Sequence, residues 1–212
     1  MRVAKLASGV IVAAGIVYVL ALLFNIPGGF AMPPTAATRL VASLSVFASA
    51  PALTVFAYAV RQAQPSNRTR VAFAIAAVFA TVAVANRIAQ LLVIGLSPDG
   101  AQQLDLYVTH SYAQGVEMLA WGILFGTVTA LLTPSVRTWA GGWPARWLGA
   151  SAVLSVVAGL AYSLALVATL PDWIGGIAVA FGGLAWGVTW PVSSALFLLS
   201  GRPRGSLRSQ LS

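Results

Sequence analysis

One stretch of this chain gathers residue types that can do chemistry. Tyr107, His110, Gln114, Glu117 and Trp121 follow one another at spacings of three, four, three and four, and Asp105 precedes them. On a helix turning 100° per residue, those spacings confine the side chains to a stripe about 80° wide. Upstream, Asn86, Arg87 and Gln90 interrupt another apolar run, with Asn86 and Gln90 four apart on one helix face. His110 is the only histidine and Glu117 the only glutamate, so chance scatter is not expected to align them. An arginine, a carboxylate, an imidazole, a phenol and several amides can bind a polar ligand, move a proton or simply satisfy one another.

Six apolar runs must position these groups. Of 212 residues, 59% are hydrophobic and 8% charged, against roughly 25% charged in soluble domains. The runs cover residues 6–24, 40–60, 71–96, 106–132, 147–170 and 173–200, followed by a basic polar tail at 201–212. A membrane-crossing helix needs about 20 apolar residues. The runs do not alternate as β-barrel strands would. The expected fold class is therefore an all-α integral membrane protein, one six-helix bundle at 1–200 without a soluble domain. At 19 residues the first run exceeds the 7–15 apolar residues of a signal peptide, so it reads as a retained anchor.

Runs three and four form a hairpin turning near Gly100. Arg87 lies thirteen residues before that point, and Gln114 and Glu117 lie fourteen and seventeen after it. At 1.5 Å per residue these groups share a depth, expected near the bilayer middle. Arg87 and Glu117 are thus the expected structural ion pair. An unpaired charge there costs at least ~2.5–3.5 kcal/mol.

Charge placement orients the bundle. Arg2, Lys5, Arg61, Arg68, Arg70, Arg137, Arg146, Arg202, Arg204 and Arg208 fall on one side, and Arg39, Asp99, Asp105 and Asp172 on the other. The positive-inside rule makes both termini cytoplasmic, in the inner (plasma) membrane. The net charge of +8 then reflects orientation in the lipid bilayer and attraction to anionic headgroups. No nucleic-acid partner is expected, since the charge is divided among separate loops. Trp139, Trp143, Trp147 and Trp173 fall at the ends of runs, where indoles anchor. Asn25–Thr38, with three prolines and two glycines, reads as a connecting loop or an ordered lid.

Other features carry packing rather than chemistry. Gly122 with Gly126, and Gly183 with Gly187, are small-xxx-small pairs suited to internal packing or to an oligomer. Pro51 and Pro191 each lie nine residues before the end of their run, as a transporter's paired kinks would. Cysteine is absent, which excludes thiol chemistry. With one histidine, a metal site is not expected. There is no phosphate-binding glycine loop, no Gly-x-Ser-x-Gly elbow, and no lysine besides Lys5 to carry a Schiff base. No cofactor is expected.

Pro65-Ser66-Asn67-Arg68 followed by an Ala-rich run to Asn86-Arg87 resembles a family of small bacterial multi-helix membrane proteins. Trp143-Pro144-Ala145-Arg146-Trp147-Leu148-Gly149, followed by a run holding Gly159 and Tyr162, does so too. That family is known as domain of unknown function number four-three-eight-six. The resemblance would cover runs two to six and implies the architecture without an activity.

Two functions are then open. In the first, a polar cavity between runs three and four binds or passes a small amphipathic or lipid-like molecule through Tyr107, His110, Gln114, Asn86 and Gln90. In the second, an intramembrane acid–base enzyme isomerises or cyclises a hydrophobic substrate. There Glu117 or Asp105 would donate a proton, and His110 and Tyr107 would relay charge. Trp121, Trp186 and Trp190 could line an apolar pocket in either case.

Overall fold

Long apolar segments must satisfy their own backbone groups, and the α-helix does so within one segment. In the computed structural model, which describes residues 2–25, 36–93, 111–168 and 172–200, nearly every residue is helical. Helix α1 spans Arg2–Asn25, α2 Ala36–Ala63 and α3 Asn67–Val93. Helix α4 runs from Tyr112 to Ala140 and α5 spans Gly142–Val167. Helix α6 is built of Asp172–Leu184, Ala185–Thr189 and Trp190–Leu199 in succession. Six helices are long and apolar enough to cross a membrane.

Each helix packs on its neighbours in sequence, and α1 also packs on α6, closing a ring. Lys5 helps to close it. Its Nζ donates to the carbonyls of Leu198 (3.2 Å) and Ser200 (3.1 Å), groups that the end of α6 leaves without helical partners. At the same end, Ser66 and Thr69 cap α3 reciprocally. Ser66 Oγ accepts from Thr69 N–H (3.2 Å) and Thr69 Oγ1 from Ser66 N–H (3.1 Å). Gly141, at φ 93°, turns the chain from α4 to α5 in a conformation that favours glycine.

The ring is apolar on both sides. Inside runs an aromatic column. Tyr18 meets Trp186 at 3.9 Å between centroids, Trp186 meets Trp121 at 4.8 Å, and Trp121 meets Phe79 at 4.7 Å. Phe125 and Trp190 continue it at 4.9 Å. Outside, Leu6, Leu92, Val153, Leu164 and Leu199 are all more than 60% exposed. In water such a surface would drive association; against lipid it is the ordinary exterior.

Helix limits differ from the apolar runs. Arg2, Lys5, Arg61, Arg68, Arg70, Arg137 and Arg146 all lie within helices, because backbone hydrogen bonding continues past the last apolar residue. The largest difference is in α4, expected over 106–132. Ser111 is its N-cap, with Oγ accepting from Gln114 N–H at 3.1 Å. The helix therefore starts later and continues to Ala140. The possible lid at 26–35 and the tail at 201–212 lie outside the described residues.

Small residues set the helix spacing. A Cβ on Gly122 would meet the backbone of Gly159, 2.9 Å from its N and closer still to its Cα, so α4 and α5 touch backbone to backbone. Gly126 faces Ser155 and Val156, and Gly187 faces the Tyr18 ring. These glycines are used inside the chain. Gly122→Ala is therefore expected to destabilise by ~1–3 kcal/mol, as overpacking does. Gly176, with nothing within 4 Å of a built Cβ, should accept alanine with a gain of ~0.5–1 kcal/mol. Unfolding of both variants in detergent checks this; equal behaviour would contradict the close approach.

Candidate functional site

The only described ion pair joins α3 and α4. Arg87 Nε and Nη2 donate to Glu117 Oε1 at 3.1 and 2.5 Å. Trp121 Nε1, one turn further along α4, donates to the same oxygen at 2.8 Å. Asn86 Nδ2 donates to Glu117 Oε2 at 2.8 Å and to the Ala113 carbonyl at 3.0 Å. The carboxylate thus accepts four hydrogen bonds, three of them on one oxygen. Arg87 and Glu117 are 6% and 8% exposed, so screening by water is slight and the pair interacts strongly.

Glu117 is the sixth residue of α4, and Arg87 lies six residues before the end of α3. The pair therefore sits near the end of the ring opposite Lys5, because α4 begins at Tyr112 rather than at residue 106. Gln90, one turn beyond Asn86, is buried at 2% exposure. Gln114, one turn before Glu117, accepts from Tyr162 Oη of α5 at 2.6 Å. Asp105, Tyr107 and His110 lie outside the described residues.

A cavity of about 200 Å³ opens beside the pair. Its polar wall is Arg87, Gln114 and Glu117; Tyr18, Trp121 and Trp186 supply aromatic surface. Met118 and, on α6, Val179, Gly182 and Gly183 complete it. A Cβ at Gly183 would meet nothing within 4 Å, so glycine there leaves room. Of the three tryptophans expected to line a pocket, Trp121 and Trp186 line this cavity, and Trp190 lines a separate, smaller one with Phe56 and Phe197. Trp190 packs against Phe125 deeper in the ring.

Two wide turns frame this cavity. Leu119–Leu124 in α4 and Ala185–Thr189 in α6 are π-helical. Phe125 N–H donates to the Ala120 carbonyl and Trp190 N–H to the Ala185 carbonyl, each five residues back. Such turns are rare and concentrate at functional sites. In α6 a cause is visible. Pro191 has no N–H, and its ring would press on the carbonyl four residues earlier. The Ala185 carbonyl also accepts from Ser151 Oγ (2.8 Å) and Thr189 Oγ1 (2.9 Å). In α4, Pro134 is too distant to act in this way, and the close contact of Gly122 with Gly159 lies within the wide turn itself.

The sequence holds a sign of this pairing that helix periodicity does not reveal. Leu119-Ala120-Trp121-Gly122-Ile123 recurs as Leu184-Ala185-Trp186-Gly187-Val188. Each copy places its tryptophan on the cavity and its glycine against a neighbouring helix. Tyr18 and Tyr162 carry no such sequence signal; distant segments bring them here.

No protein-family model matches the chain, and no match is found among curated proteins or solved structures. The site must therefore be read from its own chemistry.

Removing one partner of a buried ion pair strands the other and costs ~3–5 kcal/mol. Arg87→Ala and Glu117→Ala should each destabilise to that extent, while the double variant should fall well short of their sum. Chemical unfolding of all four proteins checks the coupling; strict additivity would show that the two charges do not act together.

Proposed function

We propose that this chain is a multi-pass protein of the plasma (inner) membrane, with both termini cytoplasmic, that binds or passes a small uncharged amphipathic molecule in the cavity beside Arg87 and Glu117. The observation that carries the reading is a cavity with one polar and one apolar wall, in which the two charges neutralise each other. A ligand meets no net charge there, so a charged one would lose hydration without an opposite charge to replace it. A hydroxyl, carbonyl or amide suits Gln114 and the edge of the ion pair, while an apolar body suits Val179, Gly182, Gly183 and Met118. Tyr107 and His110 enter this proposal on their sequence spacing alone.

The volume sharpens the ligand class. Pockets for drug-sized molecules run from about 300 to 1,000 Å³, so about 200 Å³ suits a small molecule or the polar end of a longer chain. The acid–base reading gains no comparable support. The described contacts of Glu117 all use it as an acceptor.

Two measurements test the proposal. Mass spectrometry of the protein purified in mild detergent should reveal a small amphiphile in the wild type and at least tenfold less in Gly183→Leu. That variant fills the cavity where no atom opposes a Cβ. Equal recovery from both would remove the cavity from the function. For topology, the chain has no native cysteine, so single cysteines can be introduced freely. Asn67→Cys and Gly142→Cys should resist a membrane-impermeant thiol reagent in intact cells, while Gly100→Cys should react. The reverse pattern would invert the orientation.

A further inference from the structure

A second recess lies outside the ring, at the end where α1 begins and α6 finishes. We propose that it is a binding site for one phospholipid with an anionic headgroup. The inference rests on the membrane reading above and is independent of the cavity ligand. The recess measures about 710 Å³ and is floored by Leu6, Gly9, Val10 and Ala13 of α1, with Leu198 of α6 at its side. Arg2 and Lys5 close one end.

The arrangement is that of a lipid in one leaflet. Arg2 and Lys5 are three residues apart, hence neighbours on one helix face. Lys5 Nζ is anchored by the Leu198 and Ser200 carbonyls. An ammonium has three N–H donors, so two such anchors leave one for a phosphate oxygen. Arg2 is exposed and can clasp a phosphate with two parallel N–H groups.

From Arg2 to Ala13 the helix rises about 16 Å at 1.5 Å per residue. Half of a hydrocarbon core about 30 Å thick is nearly the same, so an acyl chain of that leaflet fits alongside. Gly9 hollows the floor midway, because a Cβ there would meet nothing within 4 Å. Charge also discriminates among occupants. The chain's own segment 201–212 carries Arg202, Arg204 and Arg208 and no acid, so Arg2 and Lys5 would repel it. A second copy would have to bring an acid to this end; Glu117 is already paired with Arg87, and by chain order the other three acids, Asp99, Asp105 and Asp172, belong to the connections between runs three and four and between runs five and six, on the opposite side.

Native mass spectrometry in detergent, titrated with dioleoylphosphatidylglycerol or dioleoylphosphatidylcholine, tests the site. The wild type should hold one phosphatidylglycerol at least fivefold more tightly than phosphatidylcholine. Arg2→Gln should lower the anionic affinity about fivefold, in line with the usual effect of one basic residue at a charged membrane surface. Arg2→Lys should restore most of it. Gly9→Leu should reduce binding of both lipids by filling the groove, with its melting temperature unchanged. Equal affinity for the two lipids, or anionic binding untouched by Arg2→Gln and Gly9→Leu, would overturn the proposal. So would a dimer that Gly9→Leu dissociates, since a second copy would then occupy the groove. A wild type recovered without detergent would instead refute the membrane reading itself.

Discussion

An arginine buried among apolar helices needs an anion close at hand, and in this chain Glu117 is the anion that α4 brings to it. Desolvating both ions costs several kcal/mol apiece, so the pair persists only where further hydrogen bonds satisfy the remaining donors and acceptors. Asn86 and Trp121 supply them to Glu117. Meeting those distances fixes the rotation of α3 and the height of α4, because a slip of one residue would turn Glu117 about 100° away. The cavity is a consequence. Its polar wall exists because the pair is there, and its aromatic wall begins with the indole that the carboxylate holds.

The two wide turns extend this constraint across the ring. A π turn admits one more residue than an α turn and so resets the face that later residues present. In α4 it begins two residues after Glu117 and contains Trp121; in α6 it contains the matching Trp186. The two indoles meet at 4.8 Å, floor the cavity, and join the aromatic column beneath. Backbone-to-backbone packing at Gly122 and Gly159 brings α5 close enough for Tyr162 to reach Gln114. Close packing, aromatic contact and buried charge thus reinforce one another in a single region, while the far end of the ring is held by Lys5 on the end of α6.

Much of this was legible in the residues themselves. Six helices long and apolar enough to span a membrane follow from run length and the scarcity of charge, since hydrophobic length is a local property. The juxtaposition of Arg87 with Glu117 follows from hairpin counting and from the cost of leaving either charge alone. Helix ends were less legible. A capping serine at 111 and continued hydrogen bonding through charged residues are local details that an apolar run does not report.

What only the tertiary structure decided is the shape of the space beside the charges. Tyr18 and Tyr162 sit about 70 residues before and 75 after Arg87, and no periodicity links them to it. The close contact at Gly122 depends on Gly159 of another helix. Trp186 reaches the cavity because the π turn before Pro191 points it there, whereas Trp190 four residues on is buried against Phe125. Sequence by itself determined which groups had to find partners, because burial of charge and backbone is costly for any chain in an apolar medium. Packing decided how much room was left between them, because a void is set by every surrounding side chain at once.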